Sequence, residues 1–265
     1  MIISKPTIIS SIMNFEDRYQ YNREYNIFET NEVNQSTLLW RYMSLAQFVS
    51  LLEKKALFFS KPVYFRDSYE GSFSKYDVDQ ILRDHDSYLF GGSDFQKKIE
   101  WLKKYITIHL EHAAVNCWHI NEEESAAMWD IYLKSNEGLA IKTTFGNLRS
   151  SFVNPRFRIH VGKVQYIDFN KDMASTNVFE SLFYKRKSFK YEQELRLLVL
   201  SEDKRYFSTE TGTYISVDIN KLIGSIHVSP TSPGWFKEIV ESLTHKYGLE
   251  DKPVIQSDLY SDPLY

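Results

Sequence analysis

The segment 38–60 constrains the fold most, because a strand, a helix and a second strand follow one another there with almost no linker. Residues 38–42 are apolar and aromatic apart from one arginine, which is typical of a buried strand. Ser44 stands where a helix N-cap is expected, and apolar side chains then recur at the spacing of one helix face. A second apolar strand at 56–60 ends before Pro62, since proline interrupts the hydrogen bonding of a sheet.

The same order of elements recurs at 113–143. An apolar strand at 113–118 leads to Asn121, an N-cap followed by three glutamates that the helix dipole favours. Gly138 marks the end of that helix, and a further strand covers 139–143. Elsewhere the spacing predicts helices within 76–112, at 178–189 and after Gly234, and strands at 161–167, 194–200, 214–219, 223–228 and 254–255.

Short strands mixed with helices predict the α+β class. We expect a single domain over 38–265, with a curved, mixed, partly antiparallel sheet flanked by helices. Residues 1–37 are interpreted as a helical or irregular N-terminal extension, because 14–37 are polar with scattered aromatic rings. No apolar run approaches the ~18 residues of a membrane span, so we expect no membrane partner.

Composition narrows the classes of function. The 32 basic and 35 acidic residues are balanced, so the chain is not built to coat nucleic acid with positive charge. Its one cysteine, Cys117, excludes an intrachain disulfide and a multi-cysteine zinc site, and it suits a reducing cytoplasm. The sequence contains no P-loop, no dinucleotide-binding glycine fingerprint and no zincin or nucleophile-elbow motif. Aromatic residues, 15% of the chain, cluster beside charged ones, which predicts a pocket that binds by stacking.

The segment 191–196 carries the densest group of ionisable side chains. On a strand, Glu192, Glu194 and Arg196 would share one face. Two neighbouring carboxylates repel each other unless a cation lies between them, and Arg196 can supply that cation. The segment is therefore either a salt-bridged sheet edge or a carboxylate pair that faces a ligand.

Three further groups of charged and aromatic residues accompany it. A loop at 65–71 mixes acids, an arginine and aromatic rings, which suits a ligand site as well as a plain turn. A helix at 125–132 carries a methionine and aromatic stripe, which is usually core but can also form a pocket wall. A charge in the apolar first strand requires a partner or a ligand. The candidates from these groups are Asp67, Tyr69, Glu70, Trp129, Tyr132, Arg41 and Tyr42.

Two basic features have a functional and a plain interpretation. His119 follows Trp118 near a strand end and is interpreted as a surface or capping histidine, with a catalytic role as the alternative. The run 185–190 is interpreted as a solvated helix end that favours the helix dipole. The alternative for the run is contact with an acidic acceptor such as RNA or DNA.

The order of these motifs resembles a bacterial domain-of-unknown-function family. That family has R-Y, L-x-F-S-x-P, F-x-D-x-x-E, C-F, M-W-x-x-Y and E-x-E-x-R in succession, and the match covers about 38–200. The corresponding segments here are Arg41-Tyr42, 57–62, 65–70, Cys117-Trp118, 128–132 and 192–196. Ser68 stands where the family usually has proline, and Trp118 where it usually has phenylalanine. The resemblance implies a toxin-like or phage-defence setting, and for a toxin a cognate antitoxin as partner.

A looser similarity, to ADP-ribosyltransferases, suggests a reaction. Those enzymes carry an early arginine or histidine, a middle serine or tyrosine and a late E-x-E or Q-x-E. In this chain the same order is given by Arg41, then Ser60 or Tyr132, then Glu192 and Glu194. The resemblance implies the compact mixed sheet of those enzymes and NAD as a substrate, with a nucleic-acid or protein acceptor.

The same similarity assigns roles to the residues. Glu194 would stabilise the oxocarbenium-like ribose, and Glu192 would orient or deprotonate the acceptor. Arg41 would hold the phosphates or the ribose. The residues assigned to NAD binding are Arg41, Tyr42, Ser60, Asp67, Tyr69, Glu70, Trp129 and Tyr132.

Two other functions fit the same residues. A metal-dependent nuclease would use acidic side chains as oxygen ligands for Mg²⁺, although the E-x-E strand lacks an E-x-K lysine. Its ligands would be Asp67, Glu70, Glu192 and Glu194. A non-catalytic module that senses a phage or host component would use the aromatic clusters as its recognition surface.

Overall fold

The computed structural model of the chain describes residues 10, 20–22, 27–29, 33–85, 94–132, 136–263 and 265. Strands β1 (Gln20–Asn22) and β2 (Ile27–Glu29) come first. The predicted strand–helix–strand unit is confirmed as β3 (Leu38–Ser44), α1 (Leu45–Lys54) and β4 (Ala56–Ser60). Ser44 caps α1 through reciprocal hydrogen bonds with Gln47, which satisfies two backbone donors at the start of the helix.

Most of the remaining elements match the predicted order. The prediction that Asn121 caps the next helix is wrong, because that helix begins only at Ala126 and has no acid in its first turn. The helices Phe145–Ser151 and Ile219–Leu222 were not predicted, and the strand predicted at 161–167 is divided into two. Helices α2 (Lys75–His85) and α3 (Phe95–Leu110) precede the second unit, β5 (Ala113–Ile120), α4 (Ala126–Tyr132) and β6 (Gly138–Thr144). Then come α5 (Phe145–Ser151), β7 (Ile159–Lys163), β8 (Gln165–Ile167), β9 (Tyr184–Arg186) and β10 (Glu194–Leu200). The described chain ends with β11 (Gly212–Ser216), α6 (Ile219–Leu222), β12 (Ser225–Val228), α7 (Gly234–Lys246) and β13 (Val254–Gln256).

One mixed sheet joins most of the strands, in the order β1-β2-β7-β10-β5-β3-β6-β12-β13. β4 and β11 branch from β5, and β8 and β9 form a separate parallel pair. Most pairs are antiparallel, while β2–β7 and β12–β13 are parallel. The prediction of a single domain of mixed α and β structure, with a mixed sheet flanked by helices, is therefore confirmed. The two described strands of the predicted N-terminal extension, β1 and β2, belong to this sheet and lie at one edge of it, with Ile27 fully buried, so the helical or irregular structure expected there is wrong for these strands.

Strand β10 explains why charged side chains can be central in this fold. Every residue of β10 is buried, because the sheet is covered on both faces. Leu195, Leu197 and Val199 pack into the larger apolar core, whereas Leu198 and Leu200 pack on the opposite face beneath α2 and α3. By alternation, Glu194 and Arg196 lie on this second face. Their register partners on β5, His119 and Cys117, share that face.

The helix predicted at 178–189 is wrong. Two short 3₁₀ helices, Glu180–Phe183 and Lys187–Glu192, flank strand β9 instead. Burial overrides the helical spacing here, because Leu182 and Phe183 pack into the second core and Lys185 is buried among carboxylates. Across the described ranges, no helix is both long and apolar enough to cross a membrane.

Candidate active site

The candidate site forms where the sheet divides. β5 pairs with β10 along nearly its whole length. On its other edge β5 meets β3 only at Ile120 and His119, and it meets β4 only at Val115. Between these points β3 and β4 diverge, so the sheet forks around the middle of β5.

Side chains replace the missing strand in this fork. The amide of Asn116 donates a hydrogen bond to the carbonyl of Phe58, at 2.8 Å. The guanidinium of Arg41 donates to the carbonyl of Cys117, at 2.5 Å. Backbone groups that a continuous ladder would satisfy are thereby paired, and space is left between the two branches.

A cavity of about 350 Å³ fills that space. Six of the predicted site residues line it, although they come from separate parts of the chain: Arg41, Tyr42, Ser60, Tyr132, Glu192 and Glu194. Cys117 and His119 of β5 and several aromatic rings complete the wall. The convergence of β3, β4, α4 and the start of β10 on one cavity is the arrangement that a shared ligand requires.

Four predicted site residues lie outside the cavity wall. Trp129 is buried in an aromatic cluster beneath α4 and donates its indole N–H to a glutamate at 2.8 Å. Asp67 binds the guanidinium of Arg186 at 2.9 Å, and that guanidinium also covers the ring of Tyr69. Glu70 belongs to the ion cluster behind the cavity. These side chains support the site or the fold from outside.

A left-handed residue brings the two candidate carboxyl groups together. The 3₁₀ helix Lys187–Glu192 ends at Gln193, whose φ of 41° and ψ of 54° are uncommon for a residue with a side chain. Strand β10 begins only at Glu194, so the prediction that Glu192 lies on the same strand is wrong. The amide of Gln193 donates to the carbonyl of Lys190 at 2.7 Å, which holds the turn.

Behind the cavity lies an ion cluster of three carboxyl groups and two cations. The ammonium of Lys185 lies 2.5 Å from Glu192, 2.7 Å from Glu194 and 3.3 Å from Glu70. The guanidinium of Arg196 binds Glu194 at 2.7 Å and also binds Glu70. All five side chains are at most 10% exposed. With every group ionised the cluster carries one excess negative charge, which burial makes unfavourable.

A shared proton removes that excess charge. Burial, together with a hydrogen bond and repulsion from Glu194, raises the pKa of Glu192 to about 8. Burial also opposes the ionisation of Glu194, but Arg196, the hydrogen bond from Glu192 and Lys185 hold the pKa of Glu194 well below its usual value. At neutral pH the pair therefore holds one proton, on Glu192, and the cluster is neutral.

The charge of Arg41 is stabilised in a different way from the charges of the ion cluster. Its guanidinium packs over the ring of Trp118, 5.8 Å from the centroid, and donates one hydrogen bond to the Cys117 carbonyl. Within the described residues it makes no ion pair with a carboxylate. Burial lowers its pKa, although not enough to remove the charge of an arginine. Most of its N–H donors are therefore left for an anion in the cavity.

His119 is a buried histidine with a defined tautomer, so its interpretation as a surface histidine is wrong. Its Nδ1 lies 2.7 Å from the carbonyl oxygen of Glu192. A carbonyl only accepts, so Nδ1 carries the proton. Burial lowers the pKa of His119, which keeps the ring neutral. The other ring nitrogen, Nε2, is buried and has no hydrogen-bond partner in the part of the chain that is described.

Sequence analysis missed the central lysine. Lys185 was expected on a solvated helix end, but it lies on β9 with a 6% exposed side chain. Two other members of the basic run are paired on the surface, Arg186 with Asp67 and Lys187 with Asp172. One sequence pattern could have indicated a buried lysine. If both glutamates of the E-x-E segment are buried, the single Arg196 cannot balance their charges, so a second cation is required.

Comparison with known proteins adds no family. A scan against protein-family models, a search of curated proteins and a search of solved structures each find no match. The resemblances of the motif order therefore stay predictions, and the function is inferred from the cavity itself.

Proposed function

We propose that the chain transfers the ADP-ribosyl group of NAD to an acceptor. The observation that carries the proposal is that one cavity is lined by Glu192, Glu194 and an Arg41 without a carboxylate partner among the described residues. Its volume is near the lower end of the roughly 300–1,000 Å³ of small-molecule sites. We therefore expect the cavity to hold one nucleotide half of NAD, with the other half at the mouth beside the half-exposed Tyr132.

Each residue has a distinct task in this reaction. The bond between ribose C1′ and the nicotinamide nitrogen breaks, and its electron pair leaves with neutral nicotinamide. Glu194 stabilises the positive charge that develops on the ribose. The acceptor atom forms the new bond to C1′, and its proton passes to ionised Glu192. A carboxylate with a pKa of about 8 is a stronger base than an ordinary glutamate and is partly ionised near neutral pH.

Arg41 supplies affinity rather than chemistry. Among the described residues its guanidinium makes one hydrogen bond, to the Cys117 carbonyl, and its other N–H groups are suited to charge-assisted hydrogen bonds with a phosphate. The half-exposed ring of Tyr132 on the same wall offers a face for a base or for nicotinamide. The rings of Trp40 and Tyr42 are buried, and the indole N–H of Trp40 donates to the carbonyl of Asn121, so these two residues support the wall from within.

The test is to incubate the protein with NAD labelled in its adenylate half, together with nucleic-acid and protein acceptors. We expect nicotinamide release and transfer of label. Glu192→Gln reproduces the neutral form of the side chain, so the fold should persist while transfer falls by about 10²- to 10⁴-fold. Arg41→Gln should weaken NAD binding, and Arg205→Gln, at an exposed arginine paired with Asp203, is the matched control. Folded wild-type protein that releases no nicotinamide and transfers no label would overturn the proposal.

The proton on Glu192 also favours a second candidate, hydrolysis of a purine–ribose bond. A purine leaves more easily when it is protonated, so Glu192 would act as an acid and Glu194 would again stabilise the ribose. The two reactions differ in their pH dependence. Transfer from NAD should rise through the pKa of about 8, because it needs Glu192 ionised, whereas purine release should fall through the same pKa.

The cluster geometry weighs against a metal-dependent nuclease. Lys185 and Arg196 occupy the space between the carboxylates, and Asp67 is bound to Arg186. Among the described residues no group of three or more His, Cys, Asp or Glu side chains could hold a metal ion. A nuclease would cleave nucleic acid in a chelator-sensitive way and ignore NAD. A non-catalytic sensor would bind its partner without turnover and tolerate Gln at both 192 and 194.

The biological setting is proposed from the motif resemblance alone. It suggests a toxin or phage-defence effector that acts in the cytoplasm on a nucleic-acid or protein acceptor and is neutralised by a cognate antitoxin. Expression toxicity that requires Glu192 and Glu194, and that NAD depletion accompanies, would support this setting. Toxicity retained by Glu192→Gln would contradict it.

A further inference from the structure

Outside the cavity, aromatic rings and one guanidinium group form a continuous row on the surface. The guanidinium carbon of Arg186 lies 4.7 Å from the ring centroid of Tyr69 and 5.2 Å from that of Phe189. The ring of Tyr191 follows, 6.3 Å from that of Phe189. We call these side chains the aromatic row. Tyr69 is 39% and Tyr191 is 45% exposed, and Arg186 between them is partly exposed, so the row is accessible to a partner.

The charges beside the aromatic row favour an anionic partner. Arg186 and Lys187 are each paired with an aspartate, at 2.9 and 3.0 Å, so these carboxylates do not repel an anion. Arg66 and Lys190, one from each of the two segments that form the row, are exposed and have no carboxylate partner within the described ranges. These two cations are therefore available to phosphate groups.

Both segments of the aromatic row lead to the cavity. Phe65, which precedes Tyr69 in the same loop, lines the cavity. Glu192, which directly follows Tyr191, lines it as well. A partner bound along the row is therefore held beside Glu192, the residue that takes the proton of the acceptor in the proposed reaction.

We propose that the aromatic row binds a single-stranded nucleic acid and presents it to the cavity as the acceptor. The role as acceptor rests on the proposed function, whereas the binding rests on the exposed rings and cations. Unpaired nucleobases stack on tyrosine rings and on guanidinium planes, and the phosphates that join them suit Arg66 and Lys190. A duplex hides the faces of its bases, and two unpaired cations supply few of the phosphate contacts that hold a duplex.

The test measures the binding of a dye-labelled single strand of about 12 nucleotides by fluorescence anisotropy, with the matching duplex as the second probe. The strand should bind more tightly than the duplex. Tyr191→Leu should weaken binding of the strand by about 5- to 100-fold, because a stacking face is lost. Tyr260→Leu is the matched control, at a tyrosine that is 52% exposed and lies outside the row, and it should bind the strand as the wild type does.

A second variant tests the phosphate contact. Lys190→Gln should reduce the slope of log affinity against log salt concentration by about 0.7, the contribution of one phosphate contact on a single strand. Arg205→Gln, whose guanidinium is paired with Asp203, should leave the slope unchanged. Failure of the strand to bind the wild-type protein, or equal binding by the wild type and Tyr191→Leu, would overturn the inference.

These results are separable from the proposed function. Tyr191 does not line the cavity, so Tyr191→Leu should bind NAD as the wild type does and lose only the transfer of label to the strand. Binding of the strand along the aromatic row without any release of nicotinamide would overturn the transferase and leave the binding surface. Transfer of label to a protein by a chain that binds no strand would overturn this inference and leave the transferase.

Discussion

The cavity is bounded by two charged side chains, the buried Glu194 and the half-buried Arg41, and the fold balances only one of these charges. Glu194 is held by Lys185 and Arg196 at 2.7 Å each, so its charge is balanced within the fold. Arg41 has a backbone carbonyl and an aromatic ring but no carboxylate in the described chain. A charge that the fold balances contributes to stability, whereas a charge that the fold leaves unbalanced is available to a ligand. The contrast therefore separates the framework of the site from its binding group.

The largest expected effect is the loss of Arg196. Arg196→Met leaves Glu194 and Glu70 buried with only Lys185 to balance them. Breaking a buried ion pair in this way costs about 3–5 kcal/mol of unfolding free energy. Urea denaturation measures it, and Arg205→Met, at an exposed pair, should leave the midpoint unchanged. If Arg196→Met were as stable as the wild type, the cluster would not be the framework described here.

The next effect concerns pH and the shared proton. The folded-state pKa of Glu192 is raised to about 8, so its contribution to stability is complete below its usual pKa and is lost as the pH rises through 8. Glu192→Gln cannot ionise, so its melting temperature should equal that of the wild type at pH 4.5 and exceed it at pH 9. Because 1 kcal/mol of unfolding free energy changes the melting temperature by roughly 2–4 °C, the difference between the two proteins is measurable even where solvent screening reduces it strongly. Equal melting temperatures at both pH values would show that no proton is shared.

The strand–helix–strand unit of 38–60 could be predicted because its information is local. The N-cap at Ser44 and the apolar spacing after it define α1, and the short apolar runs around it define β3 and β4. The convergence of Arg41, Ser60 and Glu194 on one cavity agrees with the motif order, although no spacing rule implied it.

The ion cluster could not be predicted because its information is tertiary. A run of basic residues predicts an exposed segment, since unpaired lysines are rarely buried. Lys185 is buried only because strand β9 brings its ammonium group to three carboxyl groups. Gln193 gave no signal either, because a left-handed turn is expected at glycine or asparagine. The difference between the balanced charge of Glu194 and the unbalanced charge of Arg41 therefore follows from the tertiary structure and not from the sequence pattern.

A smaller effect is expected from ligand binding. ADP-ribose at ten times its dissociation constant should raise the unfolding free energy of the wild-type protein by about 1.4 kcal/mol. Arg41→Met should lose that gain at the same concentration, because the phosphates lose their cation. Sodium sulfate at equal ionic strength controls for salt. A gain that survives in Arg41→Met would mean that the phosphates bind elsewhere.

The smallest expected effect is that of Arg41→Met on the stability of the protein without ligand, and it contrasts Arg41 with the ion cluster most directly. Arg41→Met removes one hydrogen bond and a contact with Trp118, but it also removes a half-buried charge that has no carboxylate partner within the described residues. The opposing contributions should leave the unfolding free energy without ligand within about 1 kcal/mol of the wild type. Urea denaturation of Arg41→Met beside Arg196→Met measures the difference directly. Equal destabilisation by both substitutions would mean that Arg41 is a structural charge, and the cavity would then lose its candidate phosphate-binding group.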